Sequence, residues 1–520
     1  MRRITALVTA LIVMMLFSFG SPAQVPEFKL GNEVLLEKHL DLVKGKRIGL
    51  ITNQSGVNSK GVSLIDIFSK HPDINLVALY SPEHGIDGLA KAGEWVESQI
   101  HPTLKIPVYS LYGKTRMPSE SMLKNVDLLV FDMQDVGSRT YTYMSTLNYC
   151  MIAAKNYGKP ILVLDRPNPV GGVIVDGPMM EDPYISFVGV DNLPMAHGMT
   201  AGELALFFNR KINADLLIVT MEGWTRNMLW QDTGLSWVQT SPNIPDLESL
   251  FGYMATGIGE GTGVYQADKF KWIGGKGINA SQYAALLNSA GLPGVTFIPE
   301  TRGEAGGVRL KITDYYTFNP AKTGIYALGY AFTLGNFNVP KSTPNNIVMF
   351  DKIMGTNKIG QYLEQKLSPK EIEKSYQPEL DIFKAERKRY LIYNHQPKRG
   401  FLLNTRDITV TVKGVPVIFD TSPRVDSNNR LMVPVRAITE AMGANVHWNP
   451  VTRDITIIKN SDVVKLTINS NKVYVNGEEK SMDTKPVIKN QRTLVPVRYV
   501  GEHFGAFVHW DPIQKKVSID

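Results

Sequence analysis

Four short apolar runs along the chain each stop on a polar or acidic residue. The run at 47–51 (RIGLI) leads into Thr52 and Asn53, and the run at 76–80 (LVALY) into Ser81-Pro82-Glu83-His84-Gly85. The run at 128–131 (LLVF) leads into Asp132-Met133-Gln134-Asp135, and that at 161–164 (ILVL) into Asp165-Arg166-Pro167-Asn168-Pro169. Runs this short and continuous, separated by helix-like stretches, read as strands of a parallel sheet buried on both faces. Ligands of such sheets sit beyond the carboxyl ends of the strands. Asn53, Glu83, Asp132, Asp135 and Asp165 are therefore expected to gather along one edge, where clustered carboxylates make a reaction or metal site.

The alternation of strand and helix predicts an α/β fold. Helices are expected at 61–70, with Leu64, Ile65 and Phe68 on one face, and at 140–156; Ser119 is expected to cap a short helix containing Met122 and Leu123. Such alternation implies a doubly wound, Rossmann-like parallel sheet over 28–191. No Gly-x-Gly-x-x-Gly follows the first strand and no Walker-type Gly-x-x-x-x-Gly-Lys-Ser/Thr loop occurs, which disfavours a dinucleotide or NTP site. Over 192–394 the pattern is mixed, with helices expected at 200–209 and 281–289 and strands at 216–221 and 307–313. It reads as a smaller auxiliary α/β subdomain completing a cleft. Residues 395–406 read as a linker.

The last stretch, 407–520, carries an internal repeat. RLMVPVR at 430–436 recurs as RTLVPVR at 492–498, and GANVHWNP at 443–450 recurs as GAFVHWDP at 505–512, both 62 residues apart. Each unit reads as paired strands, a short helix started near Pro, and two strands around an Asn/Asp-Pro turn, an α+β repeat module. The stretch resembles the copper amine oxidase N-terminal-like domain. No copper is inferred, since His447 and His509 are single histidines expected to be packed or hydrogen-bonded.

Composition narrows the function classes. A chain of 520 residues with 43% hydrophobic and 20% charged residues is a multidomain globular protein. The net charge of +7 comes from scattered lysines and arginines, so no nucleic-acid footprint is indicated, whereas a basic exterior suits an anionic surface such as a cell wall. Residues 1–23 read as a secretory signal: Arg2 and Arg3, an apolar stretch to Phe19, and Ser21-Pro22-Ala23 before the expected cleavage. No cysteine follows it, which argues against a lipid anchor, and no later segment reaches membrane-spanning length. The protein is expected to be secreted or cell-wall associated. The single cysteine, Cys150, forbids an intramolecular disulfide and is expected in the core.

Three loops carry the candidate chemistry. Glu83 sits in a turn between Pro82 and His84, where burial beside another carboxylate would favour the protonated form that a general acid needs; a cap or loop ion pair is the plainer alternative. Asp132, Gln134 and Asp135 lead into Arg139, Tyr141 and Tyr143. The carboxylates can hold sugar hydroxyls, the arginine can bind a substrate carboxylate, and a tyrosine can stack on a sugar or simply pack. Asp165, Arg166 and Asn168 lie in a loop fixed by two prolines, and a functionless Asp165–Arg166 pair is the alternative there. His197 precedes a helix start, as a substrate ligand or a cap-side partner. A metal site built from Asp132, Asp135, Asp165, His84 and His197 is a competing use, although no fixed-spacing metal motif is present.

These segments together resemble a known family. LITNQSG at 50–56, SPEHG at 81–85, VYSLYG at 108–113, FDMQDVGSRTYTY at 131–143, DRPNPVGG at 165–172, HGMTAGEL at 197–204 and SPN at 241–243 look like the exo-β-N-acetylmuramidase family called NamZ, formerly a domain of unknown function. The resemblance spans about 28–393. It implies a glycosidase that releases N-acetylmuramic acid from the non-reducing ends of peptidoglycan fragments without metal or organic cofactor. Its Pro-Glu-His-Gly glutamate falls on Glu83, with Asp135 and then Asp132 as candidates for the second carboxylate. Asn53, His84, Gln134, Arg139, Tyr141, Asp165, Arg166, Asn168 and His197 are the expected substrate contacts, with Arg139 or Arg166 suited to the lactyl carboxylate. The family's EGTNxSxGRGT-like segment is here EGTGVYQADKFKW at 260–272, keeping only its start, in a loop expected near the substrate. A non-catalytic wall-sugar binder and a metal-dependent hydrolase are the alternatives. The C-terminal module is expected to contact wall polymer or act as a spacer.

Overall fold

The computed structural model describes residues 27–404, 408–426, 428, 430–489, 491–511 and 516–520. The expected secretory signal at 1–23 lies outside the described residues. Among those described, no helix is long and apolar enough to cross a membrane.

The expected strands form one sheet: β1 (Arg47–Thr52), β2 (Asn75–Ser81), β3 (Gln99–Ile100), β4 (Pro107–Ser110), β5 (Leu128–Asp132) and β6 (Ile161–Leu164). A hairpin of β7 (Asp176–Met179) and β8 (Pro194–Ala196) intervenes before β9 (Leu216–Val219) rejoins the sheet. The six strands β4, β2, β1, β5, β6 and β9 pair in parallel in that order. Numbered along the chain this is 3-2-1-4-5-6, the doubly wound order, with its reversal of direction between β1 and β5. The sheet therefore runs past the boundary expected at 191, because β9 is its sixth parallel strand.

Side chains alternate between two cores, as a sheet covered on both faces requires. Ile48, Leu50, Leu79, Val130 and Leu162 pack on one face with Val34 and Leu35 of α1 (Gly31–Lys38) and Leu64 and Phe68 of α2 (Leu64–Lys70). Before the next strand comes the short α3 (Glu120–Leu123). Ser119 stands at its N-cap position, but its hydroxyl meets the Ser121 hydroxyl at 2.9 Å instead of capping a backbone N–H. Ile51, Tyr80, Phe131, Val163 and Ile218 face the other way, against Leu147 and Met151 of α4 (Thr142–Asn156) and Leu204 and Phe208 of α5 (Ala201–Ile212). Cys150 is buried within α4.

The auxiliary region is built on an antiparallel sheet, ordered β10 (Val264–Ala267), β11 (Trp272–Lys276), β13 (Ala305–Ile312) and β12 (Val295–Arg302). Helices α6 (Leu247–Thr256), α7 (Ala280–Ser289) and α8 (Pro320–Leu334) join its core, followed by α9 (Met349–Met354), α10 (Lys358–Glu364) and α11 (Pro369–Arg387). The 260–272 segment forms the β10–β11 hairpin and its turn. Within the expected linker, Leu402–Asn404 is instead a strand, β14, paired antiparallel to β9 as the sheet's edge.

The repeat module has its own core, including Val433, Ile457, Leu466, Val495 and Ile519. The repeated Val-Pro-Val-Arg segments begin in β15 (Leu431–Pro434) and β16 (Arg492–Pro496), each followed by a short helix, α12 (Val435–Ala441) and α13 (Val497–His503). The two strands pair antiparallel with the equivalent residues Val433 and Val495 opposite each other, so the repeats meet about a local two-fold. His447 and His509 are exposed rather than packed, on strands at the edges of their sheets.

Candidate active site

The loops after β1, β2 and β5 converge outside the sheet's reversal point. Thr52 pairs with Asp132 at the ends of β1 and β5, and its hydroxyl donates to the Asp132 carbonyl at 2.7 Å. A Cβ on Gly56 would fall 2.1 Å from the Thr52 hydroxyl, so the loop passes this point only with glycine. Asn53 Oδ1 accepts from the Ser55 N–H at 3.0 Å and its hydroxyl at 2.6 Å. The same hydroxyl accepts from the Gln134 N–H at 3.0 Å. These bonds lock the two loops together and leave Asn53 Nδ2 buried without a partner. Gln54 Nε2 donates to the carbonyls of Gln239 (2.9 Å) and Thr240 (3.1 Å), fastening a segment of the auxiliary region over the loop.

Glu83 is buried, and both its oxygens are held. Oε1 accepts from the Gly93 N–H at 2.8 Å and Oε2 from the Thr142 hydroxyl at 2.6 Å. Thr142 is the first residue of α4, so the helix directs the positive end of its dipole toward this carboxylate. His84 supports the turn. It takes a left-handed backbone with φ 71°, and Nδ1 lies 2.7 Å from the Ala90 carbonyl.

Asp135 is also buried. Its Oδ2 accepts from the Gly137 N–H at 3.0 Å and lies 3.4 Å from His197 Nε2, while Oδ1 has no partner. His197 Nδ1 accepts from the Met199 N–H at 3.1 Å, so in the neutral ring the proton sits on Nε2, facing Asp135. Gln134 gives Nε2 to the carbonyls of Asp135 (2.9 Å) and Pro167 (2.8 Å), which leaves Oε1 buried and free.

Three tyrosines pack together beside the acids. The Tyr141 ring lies 4.7 Å from that of Tyr143 and 6.0 Å from that of Tyr253, centroid to centroid. Tyr143 donates to the Thr240 carbonyl at 2.5 Å, whereas the Tyr141 hydroxyl is buried without a partner. Burial pushes the Tyr253 phenol up to about 12, and the charges of Glu83 and Asp135 both act on it in the same sense. Burial drives Tyr141 and Tyr143 well above the ordinary phenol range too. All three remain protonated donors. Phe270 stacks edge-on against Tyr253 at 5.0 Å, which links the altered 260–272 hairpin to the site.

Several expected contacts point elsewhere. Asp132 is fully buried and faces away from Asp135: its Oδ1 accepts from Arg166 Nε at 2.5 Å and its Oδ2 from Asn32 Nδ2 at 3.1 Å. Among the described residues Asp165 pairs with no arginine side chain. It accepts from the hydroxyls of Tyr393 (2.7 Å) and Thr200 (2.9 Å) and from the N–H groups of Gly202 (2.7 Å) and Arg166 (2.9 Å). Burial nonetheless raises its carboxyl to about 7. A Cβ on Gly202 would lie 2.8 Å from the Asp165 Cγ, so α5 starts against the acid only because residue 202 is glycine. Arg139 donates to the carbonyls of Pro178 (2.7 Å), Leu193 (2.7 Å) and Ile353 (2.6 Å), and burial lowers it to about 9. Asn168 holds the Met199 carbonyl and the Val170 N–H, both at 3.1 Å.

The structure thus brings together Asn53, Glu83, Gln134, Asp135, Tyr141 and His197, with His84 shaping one turn. Asp132, Arg139, Asp165 and Asn168 brace the loops from behind, whereas Arg166, although paired with Asp132, also lines a cavity with Ser55 and Gln134. The donor set of the alternative metal site is not assembled, and among the described residues no three His, Cys, Asp or Glu side chains are placed to hold a metal ion. The sequence reading did not single out Gln54, Tyr112, Thr142, Thr240 or Tyr253. Gln54, Tyr112 and Thr142 lie inside the segments LITNQSG, VYSLYG and FDMQDVGSRTYTY, whereas Tyr253 on α6 has no local signal.

Similarity to known proteins covers the same residues. Residues 48–248 match the family described as Exo-beta-N-acetylmuramidase NamZ, N-terminal, and residues 251–393 its C-terminal counterpart; residues 411–519 match Copper amine oxidase N-terminal domain. Peptidoglycan beta-N-acetylmuramidase NamZ of Bacillus subtilis (strain 168) is 44% identical over 391 residues, which cover 72% of this chain and 94% of that protein. A crystal structure of a DUF1343 family protein from Bacteroides fragilis NCTC 9343 superposes with a TM-score of 0.64 at 35% identity, covering 71% of this chain and 99% of its own. A second DUF1343 family structure from that organism gives 0.53 at 27% identity, covering 71% and 100%. With both halves matched and the curated relative covered almost end to end, this chain belongs to the exo-beta-N-acetylmuramidase NamZ family.

Proposed function

We propose that this chain is an exported glycosidase that releases N-acetylmuramic acid from the non-reducing ends of peptidoglycan fragments, with Glu83 and Asp135 dividing the acid and base roles between them. The observation that carries the reading is that two buried carboxylates, beyond the ends of β2 and β5, both act through their charge on the one Tyr253 phenol. Glycoside hydrolysis commonly uses such a pair, one carboxyl protonating the leaving oxygen and the other serving as nucleophile or activating water. Glu83 is oriented through both oxygens. Asp135 keeps Oδ1 free for a proton or a water, with His197 beside its other oxygen. Buried polar atoms without partners are rare in folded proteins. Asn53 Nδ2, Gln134 Oε1 and the Tyr141 hydroxyl are three of them here, and sugar hydroxyl or acetamido groups would satisfy them.

Export is supported by the charged and apolar pattern of residues 1–23. The basic net charge and the separate repeat module suit retention at an anionic cell wall. The test is turnover of a chromogenic N-acetylmuramic acid β-glycoside by wild type, Glu83→Gln and Asp135→Asn. Turnover in the wild type that drops at least about 100-fold in each variant supports the reading. A wild type that binds the sugar without cleaving it would make the protein a wall-sugar binder instead.

A further inference from the structure

N-acetylmuramic acid differs from N-acetylglucosamine by a 3-O-lactyl group, whose carboxylate is ionised at neutral pH. The two arginines expected to meet that charge are already engaged, Arg139 by three carbonyls and Arg166 by Asp132 and the Val57 carbonyl. A third arginine has the opposite character. Arg116 lies in the loop after β4 and is exposed. Its guanidinium carbon sits 4.3 Å from the ring centroid of Tyr112 and 4.3 Å from that of Phe187. The two rings themselves lie 5.9 Å apart. Among the described residues no carboxylate pairs with it.

Tyr112 connects this arginine to the acid. Burial raises its half-buried phenol above the ordinary range, the Glu83 charge adds to the rise, and Arg116 opposes it. The Tyr112 phenol thus stands in contact with both the guanidinium and the carboxylate assigned to the glycosidic bond. A planar guanidinium resting on aromatic faces is held at low entropic cost, and its edge presents paired N–H donors that match a carboxylate bidentately.

We propose that Arg116 binds the lactyl carboxylate of the sugar whose glycosidic bond Glu83 acts on, and so selects muramic acid over glucosamine; this rests on the muramidase reading given above. The partner chemistry follows from charge and shape. A lone, stacked, solvent-facing guanidinium beside a saccharide site fits a carboxylate-bearing sugar, and a neutral sugar would leave it unanswered.

The experiment uses the full chain with three chromogenic β-glycosides: N-acetylmuramic acid, its lactyl methyl ester, and N-acetylglucosamine. Arg116→Ala is expected to lower kcat/KM on the free acid by about 10- to 100-fold, chiefly through KM, the range of a hydrogen bond to a charged group. Activity on the ester and on the glucosamine glycoside is expected to stay at the wild-type level, so the preference for the acid collapses. Arg116→Lys is expected to retain part of the preference, keeping the charge without the planar fork. An unchanged preference in both variants overturns the proposal. So does an equal loss on all three substrates with a displaced pH profile, since that places Arg116 behind Glu83, acting through Tyr112. A wild type that cleaves no muramic acid glycoside defeats the muramidase reading itself, and the proposal with it. Thermal unfolding of each variant separates loss of fold from loss of recognition.

Discussion

The Thr142 hydroxyl donates to Glu83 Oε2 across 2.6 Å, joining the first residue of α4 to the turn after β2. With the Gly93 N–H on Oε1, it fixes the carboxylate's plane. Thr142→Val keeps the shape and removes one donor. Hydrogen bonds to charged groups contribute about 1.5–3 kcal/mol, so kcat should fall by about tenfold or more while KM changes little. Steady-state kinetics on the chromogenic muramic acid glycoside checks this, and an unchanged kcat would show that the contact does not matter to turnover.

Tyr253 feels the charge of both acids and packs through its ring against Tyr141 and Phe270. Its hydroxyl accepts from the Thr140 hydroxyl at 3.2 Å. Tyr253→Phe preserves both ring contacts. The melting temperature is expected to hold and kcat/KM to drop by about tenfold, through loss of a preorganised donor beside charge that changes during reaction. A large fall in melting temperature would instead identify the phenol as a structural element.

Much of this site could be read from sequence because a parallel sheet buried on both faces forces its strands to be continuous apolar runs. Asn53, Glu83 and Asp135 were found where those runs end. Which way an acid turns was hidden. Asp132 and Asp135 are three residues apart in one motif, yet one faces Arg166 and Asn32 and the other faces His197. Arg139 resembled a substrate ligand, but its partners are carbonyls at 178, 193 and 353, and no local pattern announces so distant a set. The edge strand β14 was missed for a similar reason. Three residues after a Pro-Lys-Arg-Gly stretch carry no strand signal, and only the open edge of β9 recruits them.

The Asp132–Arg166 pair is fully buried, and its other contacts are the Asn32 amide and the Val57 carbonyl. Removing one member leaves an uncompensated interior charge, which costs about 3–5 kcal/mol. Asp132→Asn and Arg166→Met are each expected to lose about that much in urea unfolding, and the double variant to recover part of it. Additive losses would show that the two side chains are not coupled.

Asp165 gives the fold a signature in pH. Burial raises its carboxyl from an ordinary value of 3.8 to about 7, in spite of four donors. Between those values the folded chain holds a proton that the unfolded chain has released. Stability contributed by this group is therefore complete below about pH 4 and is lost as pH rises to about 7, beyond which it levels. Asp165→Asn removes the titration, and the Thr200 and Tyr393 hydroxyls can reverse to accept from the new amide. The difference in unfolding free energy between wild type and variant should therefore change steadily across that window. A difference constant in pH would mean that Asp165 is ionised throughout.

The place where the chain can be cut follows from β14. Leu402 pairs with Val219, and Phe401 exchanges hydrogen bonds with Thr220, its N–H donating to the Thr220 hydroxyl at 2.8 Å. A chain shortened to residue 404 keeps these contacts and loses the repeat module, together with the packing of its Ile418 on the main core. It should retain wild-type kcat/KM on a soluble chromogenic glycoside while sedimenting less with insoluble cell-wall sacculi. A chain shortened to residue 394 strips β14 and leaves the β9 edge unpaired, a row of free backbone groups that invites aggregation. Its melting temperature should fall by about 5 °C or more. Equal stability of the two would mean that the edge strand adds nothing to the sheet, and equal sedimentation of the longer fragment and the full chain would detach the repeat module from any role at the wall.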